Sequence, residues 1–168
     1  MTFRKTLCLL APLLVLTVVP GCSGDSIAKN TPCGSSLTEC LSLGRKTLSV
    51  PVILTPSAAT NSSIQFVSGQ IAGESKRRVL DMGFRDTPTN LDFLVVVSTY
   101  GLECSAATAM ISKTSSKGRP FCYGENLDVL ALRFRDGRVF YTIGVTKTGD
   151  PKQRSLARWA EALVDRFH

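Results

Sequence analysis

Residues 91–99 read LDFLVVVST, and this run restricts the fold more than any other stretch of the chain. An apolar run of this length predicts a central strand covered on both faces. A second feature calls for the same sheet. Segments 127–135 and 138–145 flank Asp136-Gly137, a type I′ hairpin signal. Leu130, Leu132 and Phe134 share one face of that hairpin, while Arg133 and Arg135 share the other. The cover for the sheet comes from the last segment. Asp150 suits an N-cap and Pro151 the first helical position. Leu156, Trp159, Ala160, Leu163, Val164 and Phe167 then recur at helical spacing, so the stripe is core.

The stretch before residue 91 reads as strand, turn, helix. Segment 47–54 has β-branched residues, with Pro51 marking an edge strand. A helix is expected over 62–82, from the spacing of Ile64, Val67, Ile71, Val79 and Met82, with Gly83 as its C-cap. Lys76, Arg77 and Arg78 suit the negative end of its dipole. Strand, helix, strand implies a parallel right-handed crossover. The expected fold class is therefore α/β (α+β). It has one small mixed sheet with two main helices packed on it, strand–helix–strand followed by a hairpin and the C-terminal helix. Residues 100–125 form a long insertion loop, with a short strand near 106–111.

The N-terminal residues concern address rather than fold. Arg4 and Lys5 precede an apolar segment over 7–19, which is short against the ~20 residues of a membrane span. Positive charge, a short apolar core and then small residues make an export signal. The core ends in Val19-Pro20-Gly21-Cys22. An aliphatic residue, two small residues and a cysteine are the lipoprotein-processing pattern, with Pro20 unusual in its slot. Here the chain resembles bacterial lipoproteins, and the resemblance implies an acylated Cys22. Ser23, in place of aspartate, implies sorting to the outer membrane, facing the periplasm. An ordinary cleaved signal with a chance cysteine is the competing reading. The chain thus divides into a signal peptide (1–21), a flexible tether rich in Ser, Gly, Asn and Pro (22–36) and one domain (37–168).

Removing 21 residues from 168 leaves 147, with 18 basic against 13 acidic side chains and a net charge of +5. That charge suits anionic partners such as lipid headgroups or cell-wall polymers. No nucleic-acid motif is present. Cys33, Cys40, Cys104 and Cys122 form an even set in an oxidising compartment. Four cysteines allow three pairings, of which the local ones, Cys33–Cys40 and Cys104–Cys122, are expected. Zinc is disfavoured because paired CxxC spacing and nearby histidine are missing. His168 alone supplies imidazole, so a Ser-His-Asp triad or a His-Cys pair has little basis. No phosphate loop or zinc-protease motif occurs. No cofactor, metal or catalytic residue is therefore expected.

The segments ESKRRVLDMGF, LDFLVVVS, ENLDVLALRFRDGRVFYTIGV and the terminal DRFH resemble a family of small bacterial lipoproteins of unknown function. The resemblance covers roughly residues 60–168. It implies an α/β domain similar to the amino-terminal domain of TolB and to the penicillin-binding-protein activator lipoproteins, with no catalytic residues to carry over. The functional expectation is a non-enzymatic, membrane-anchored module that binds an envelope protein or cell-wall polymer. Tyr100, Lys113, Lys117, Arg119, Phe121 and Tyr123, in the long insertion, are the candidate partner-binding residues. The alternatives are an envelope hydrolase using carboxylates or a Ser-Lys pair among residues 112–117, and a soluble periplasmic inhibitor.

Overall fold

A computed structural model describes residues 30–34, 36–57, 64–74, 77–101, 104, 110–126, 128–147 and 156–168. The signal segment, Cys22 and the Asp150-Pro151 cap lie outside the described residues.

The elements are β1 (Thr31–Pro32), α1 (Leu37–Leu48), β2 (Ile64–Ala72), β3 (Val79–Asp86), β4 (Leu91–Ser98), β5 (Ile111–Thr114), β6 (Pro120–Glu125), β7 (Val129–Asp136), β8 (Val139–Thr146) and α2 (Ala157–Val164). All eight strands join one sheet in the order β1-β2-β3-β4-β8-β7-β6-β5. Every neighbouring pair is antiparallel. The expected α/β class with a mixed sheet and two main helices is therefore corrected to a β-rich fold with two short helices. No strand–helix–strand crossover exists among the described residues, because 64–86 is a hairpin rather than a helix.

Register sorts the side chains into rows that cross the sheet. On one face lie Ile71, Leu80, Val97, Tyr141 and Phe134. A second row holds Gly69, Met82, Val95, Ile143, Leu132 and Tyr123, and a third Phe66, Phe84, Phe93, Val145 and Leu130. Nearly all of these are buried. This is the core face.

Two helices and one extended segment cover it. Helix α1 begins at a capping box. Ser36 Oγ accepts from Glu39 N–H at 3.3 Å, and Glu39 Oε2 accepts from Ser36 N–H at 3.2 Å. It buries Cys40, Gly44 and Leu48, one stripe at four-residue spacing, and stops where Ser49 turns left-handed at φ 55°. Residues 50–57, expected to include an edge strand, instead run under the sheet. Leu54 N–H donates to the Tyr141 hydroxyl at 2.9 Å, and Pro56 forms an antiparallel bridge with Phe167. Helix α2 buries Ala160, Leu163 and Val164, flanked by buried Leu156 and Phe167, as its spacing predicts.

Both cysteine pairs adopt the local connectivity, Cys33–Cys40 and Cys104–Cys122. The first lies on Gly69, where an added Cβ would sit 2.1 Å from Cys40 Sγ and 2.7 Å from Cys33 Sγ. Only glycine lets the bridge rest on the sheet. At the β7–β8 turn, Asp136 pairs with Val139, so Gly137 and Arg138 are the central residues. Gly137 has φ 57° and Arg138 has no positive φ, the type II′ pattern in place of the expected I′.

Candidate functional site

The face opposite the core carries the alternate rows, two of which cross its middle. One is Gln70, Asp81, Val96, Thr142, Arg133 and Cys122. The other is Ser68, Gly83, Leu94, Gly144, Ala131 and Gly124. Glycines on either side of Leu94 lower the surface there. A bulge at β2 turns Val67 outward, and Val67 and Leu94 are 59% and 41% exposed. The result is a groove of about 490 Å³ lined by Val67, Gly83, Asn90, Asp92, Leu94, Gly144 and Thr146. Antiparallel sheets often leave one face to water, and that face is normally polar. Here it is partly apolar.

A recess of about 220 Å³ adjoins this groove across Gly83 and Leu94, lined also by Ser68, Gln70 and Asp81. Asp81 is 7% exposed. Its Oδ2 accepts from Gln70 Nε2 at 3.2 Å, and its Oδ1 has no partner. Burial raises its pKa, opposed by the Gln70 bond. A desolvated carboxylate in a cleft is a recognised mark of function. At the far end, Arg85 and Asp92 form a bidentate pair at 2.7 and 2.9 Å. The Arg85 bond holds the Asp92 carboxyl below its ordinary range.

The candidate residues of the insertion lie elsewhere. Residues 111–125 form β5 and β6 and extend the sheet. Phe121 and Tyr123 are 2% and 8% exposed and belong to the core. Lys113 Nζ lies 4.5 Å above the Tyr123 ring. Arg119 Nη1 donates to the carbonyls of Val164 and Phe167 at 3.0 and 2.8 Å, capping the end of α2, and its guanidinium stacks on Phe134. Lys117 and Ser116 both reach Asp165. Tyr100 is exposed and its hydroxyl donates to Arg77 O at 3.0 Å. Structure thus brings Lys117 and Arg119 together against the end of α2, buries Phe121 and Tyr123 in the core with Lys113 over the Tyr123 ring, and leaves Tyr100 apart.

The other end of α2 is fastened as well. Glu125 Oε1 accepts from Leu156 N–H at 2.9 Å and from buried Lys147 Nζ at 3.0 Å, while Oε2 accepts from the Tyr123 hydroxyl. Burial acts to raise the Glu125 pKa, but these donors outweigh it and the net shift is downward.

Among the described residues, no group of three His, Cys, Asp or Glu side chains is placed to hold a metal. No described helix is long and apolar enough to cross a membrane. Comparison with protein-family models, curated proteins and solved structures found no match to this chain.

Proposed function

We propose that this chain is a lipid-anchored protein of the cell envelope, at the outer membrane facing the periplasm, whose sheet domain is a non-enzymatic binding module for another envelope component. The observation that carries this reading is Val19-Pro20-Gly21-Cys22, placed directly after the apolar 7–19 segment. Acyl chains on Cys22 would add ~0.8 kcal/mol of membrane binding per buried methylene, enough with two or three chains to hold the domain at the bilayer. The open groove beside Asp81 supplies a contact surface that the core does not need.

Carboxylate or Ser-Lys catalysis has less support. Asp81 and Asp86 are five residues apart in β3 and lie on opposite faces, Asp92 is tied to Arg85, and Ser116 and Lys117 both serve Asp165. Two measurements on protein from its native host test the proposal. Mass spectrometry of the mature N-terminus is expected to find a diacylglyceryl-type mass on Cys22, and an unmodified sulfur refutes the anchor. A photo-crosslinking residue at Leu94 is expected to capture an envelope component that the same residue at Ile111, on the edge strand β5, does not. Equal capture at both positions removes the groove from the reading.

A further inference from the structure

Gly83 and Leu94 line both the groove and the recess beside it, so the two form one continuous depression on the open face. Asp81 lies in the wall of the recess. Its carboxylate is buried, with one oxygen bonded to Gln70 Nε2 and the other without a partner. Among the described residues, no lysine or arginine lines either part of the depression. Arg85, on the same strand, is engaged by Asp92 at the far end. In a chain of net charge +7, this is a region free of lining cations that holds an unused anionic acceptor.

A buried carboxylate oxygen without a donor is destabilising, and a cation that reaches it offsets that cost. The carboxylate torsion is soft, so either oxygen can turn toward the recess. Gln70 occupies one oxygen, which leaves one for a ligand. That suits an ammonium, a compact donor, better than a guanidinium, whose fork takes both oxygens. Outward from Asp81 the lining turns apolar at Leu94 and Val67, which suits the alkyl stem of a lysine. Asn90 and Thr146 then offer amide and hydroxyl groups to a peptide backbone. We propose that the depression receives a lysine side chain from an extended segment of a partner protein, with its ammonium on Asp81 and its stem across Leu94. The proposal rests on the reading above only in taking the groove as the contact surface. A small alkylamine would fill the recess and leave the larger groove, about 490 Å³, empty. A buried water on Asp81 is the competing occupant.

Calorimetric titration of the full purified chain in neutral detergent tests this, with the capped pentapeptide acetyl-Ala-Ala-Lys-Ala-Ala-amide as the probe. Saturable binding is expected. It should fall at least tenfold when the probe lysine is Nε-acetylated, and at least tenfold in Asp81→Asn, which keeps the side-chain shape and removes its charge. Arginine in place of the probe lysine is expected to bind several-fold more weakly, and n-butylammonium at least tenfold more weakly. Gly144→Ala adds a methyl that meets no atom of the fold within 4 Å, so it should narrow the groove and weaken binding while the thermal midpoint is unchanged. Asp128→Asn, at an exposed carboxylate outside the groove, should bind as the parent does. No binding at millimolar probe leaves water as the occupant and overturns the proposal. So does equal binding of the acetylated probe, equal binding of n-butylammonium, an unaffected Asp81→Asn, or an equal loss in Asp128→Asn. A retained thermal transition establishes that each variant is folded. A failed titration with capture at Leu94 intact strikes the lysine and keeps the groove. The titration needs no acylated Cys22, so failure of the anchor leaves it interpretable.

Discussion

The indole Nε1 of Trp159 donates a 3.0 Å hydrogen bond to Oδ2 of Asp86, joining α2 to the end of β3 across 73 residues of sequence. Asp86 is 3% exposed, and the Thr89 hydroxyl and Arg166 guanidinium also face it. The ring itself packs edge-on against Phe93, ending a line of aromatic contacts that runs through Phe84 to Phe66. Trp159→Phe keeps most of the packing and removes the donor. It is expected to destabilise the fold by about 1–3 kcal/mol, because a buried carboxylate loses a partner. Urea denaturation measures the change. A double-mutant cycle with Asp86→Asn is expected to show coupling, and additive effects would mean that the bond contributes nothing.

Arg119 is expected to behave as a stabilising residue. Arg119→Ala removes the cap on Val164 and Phe167 and the stacking on Phe134. Charged hydrogen bonds contribute about 1.5–3 kcal/mol, so a loss of that order is expected in chemical denaturation. Hydrogen exchange should localise it to α2.

The two disulfides should contribute unequally. They close spans of 7 and 18 residues. Loop entropy alone gives about 2 kcal/mol for Cys33–Cys40 and about 3 kcal/mol for Cys104–Cys122. Paired Cys→Ser variants compared by thermal unfolding check the order. Gly69→Ala should disturb the first pair directly, since the added methyl meets both sulfurs.

Tyr141 predicts an alkaline limit to stability. Burial pushes its phenol up to about 12, with the Leu54 N–H bond acting in the opposite direction. A raised folded value means the neutral phenol is favoured in the native state. Its stabilisation is full below the unfolded pKa near 10 and is lost as pH climbs toward 12. Tyrosinate absorbance should show one of the three tyrosines titrating late and together with unfolding. Tyr141→Phe is expected to flatten stability across that window while costing about 0.5–1.5 kcal/mol at neutral pH through the lost hydrogen bond.

Asp81 predicts the same sign at the acidic end. Its folded pKa lies above the ordinary carboxylate value because burial disfavours the charge. Protonation therefore stabilises the native state, and that gain is lost as pH rises through the folded pKa. At pH 7 Asp81→Asn should raise the thermal midpoint, with the difference narrowing below about pH 4, near the unfolded carboxylate pKa. A variant less stable than the parent at pH 7 contradicts this. If the groove beside Asp81 is the contact surface, the same substitution should weaken crosslinking from Leu94.

Much of the second half was legible in sequence, and much of the first was not, for a specific reason. Residues 91–98, the hairpin around Gly137, the α2 stripe and both cysteine pairings follow from local patterns. The 62–82 stretch does not. A bulge at Val67 inserts one residue into β2, so that Phe66 and Gly69, three apart, share the core face. Ile64 and Ile71, seven apart, then imitate helical spacing in a strand. The capping box at Ser36 and Glu39 was available as a start signal for α1. Likewise, Phe121 and Tyr123 alternate as core residues of a strand, which argued for burial rather than display. The open face was beyond local patterns, since Asp81, Gly83, Leu94 and Gly144 meet only through the register of three strands.

The sheet is two four-stranded meanders whose inner members, β4 and β8, meet at the centre. During synthesis the earlier meander is complete long before residues 139–146 arrive. Until then the most apolar strand in the chain stands with one side of its backbone unpaired, a template for intermolecular pairing. Delivery of β8 is thus the event that ends the nascent chain's exposure to aggregation, and an escorting chaperone would have its greatest value in that interval.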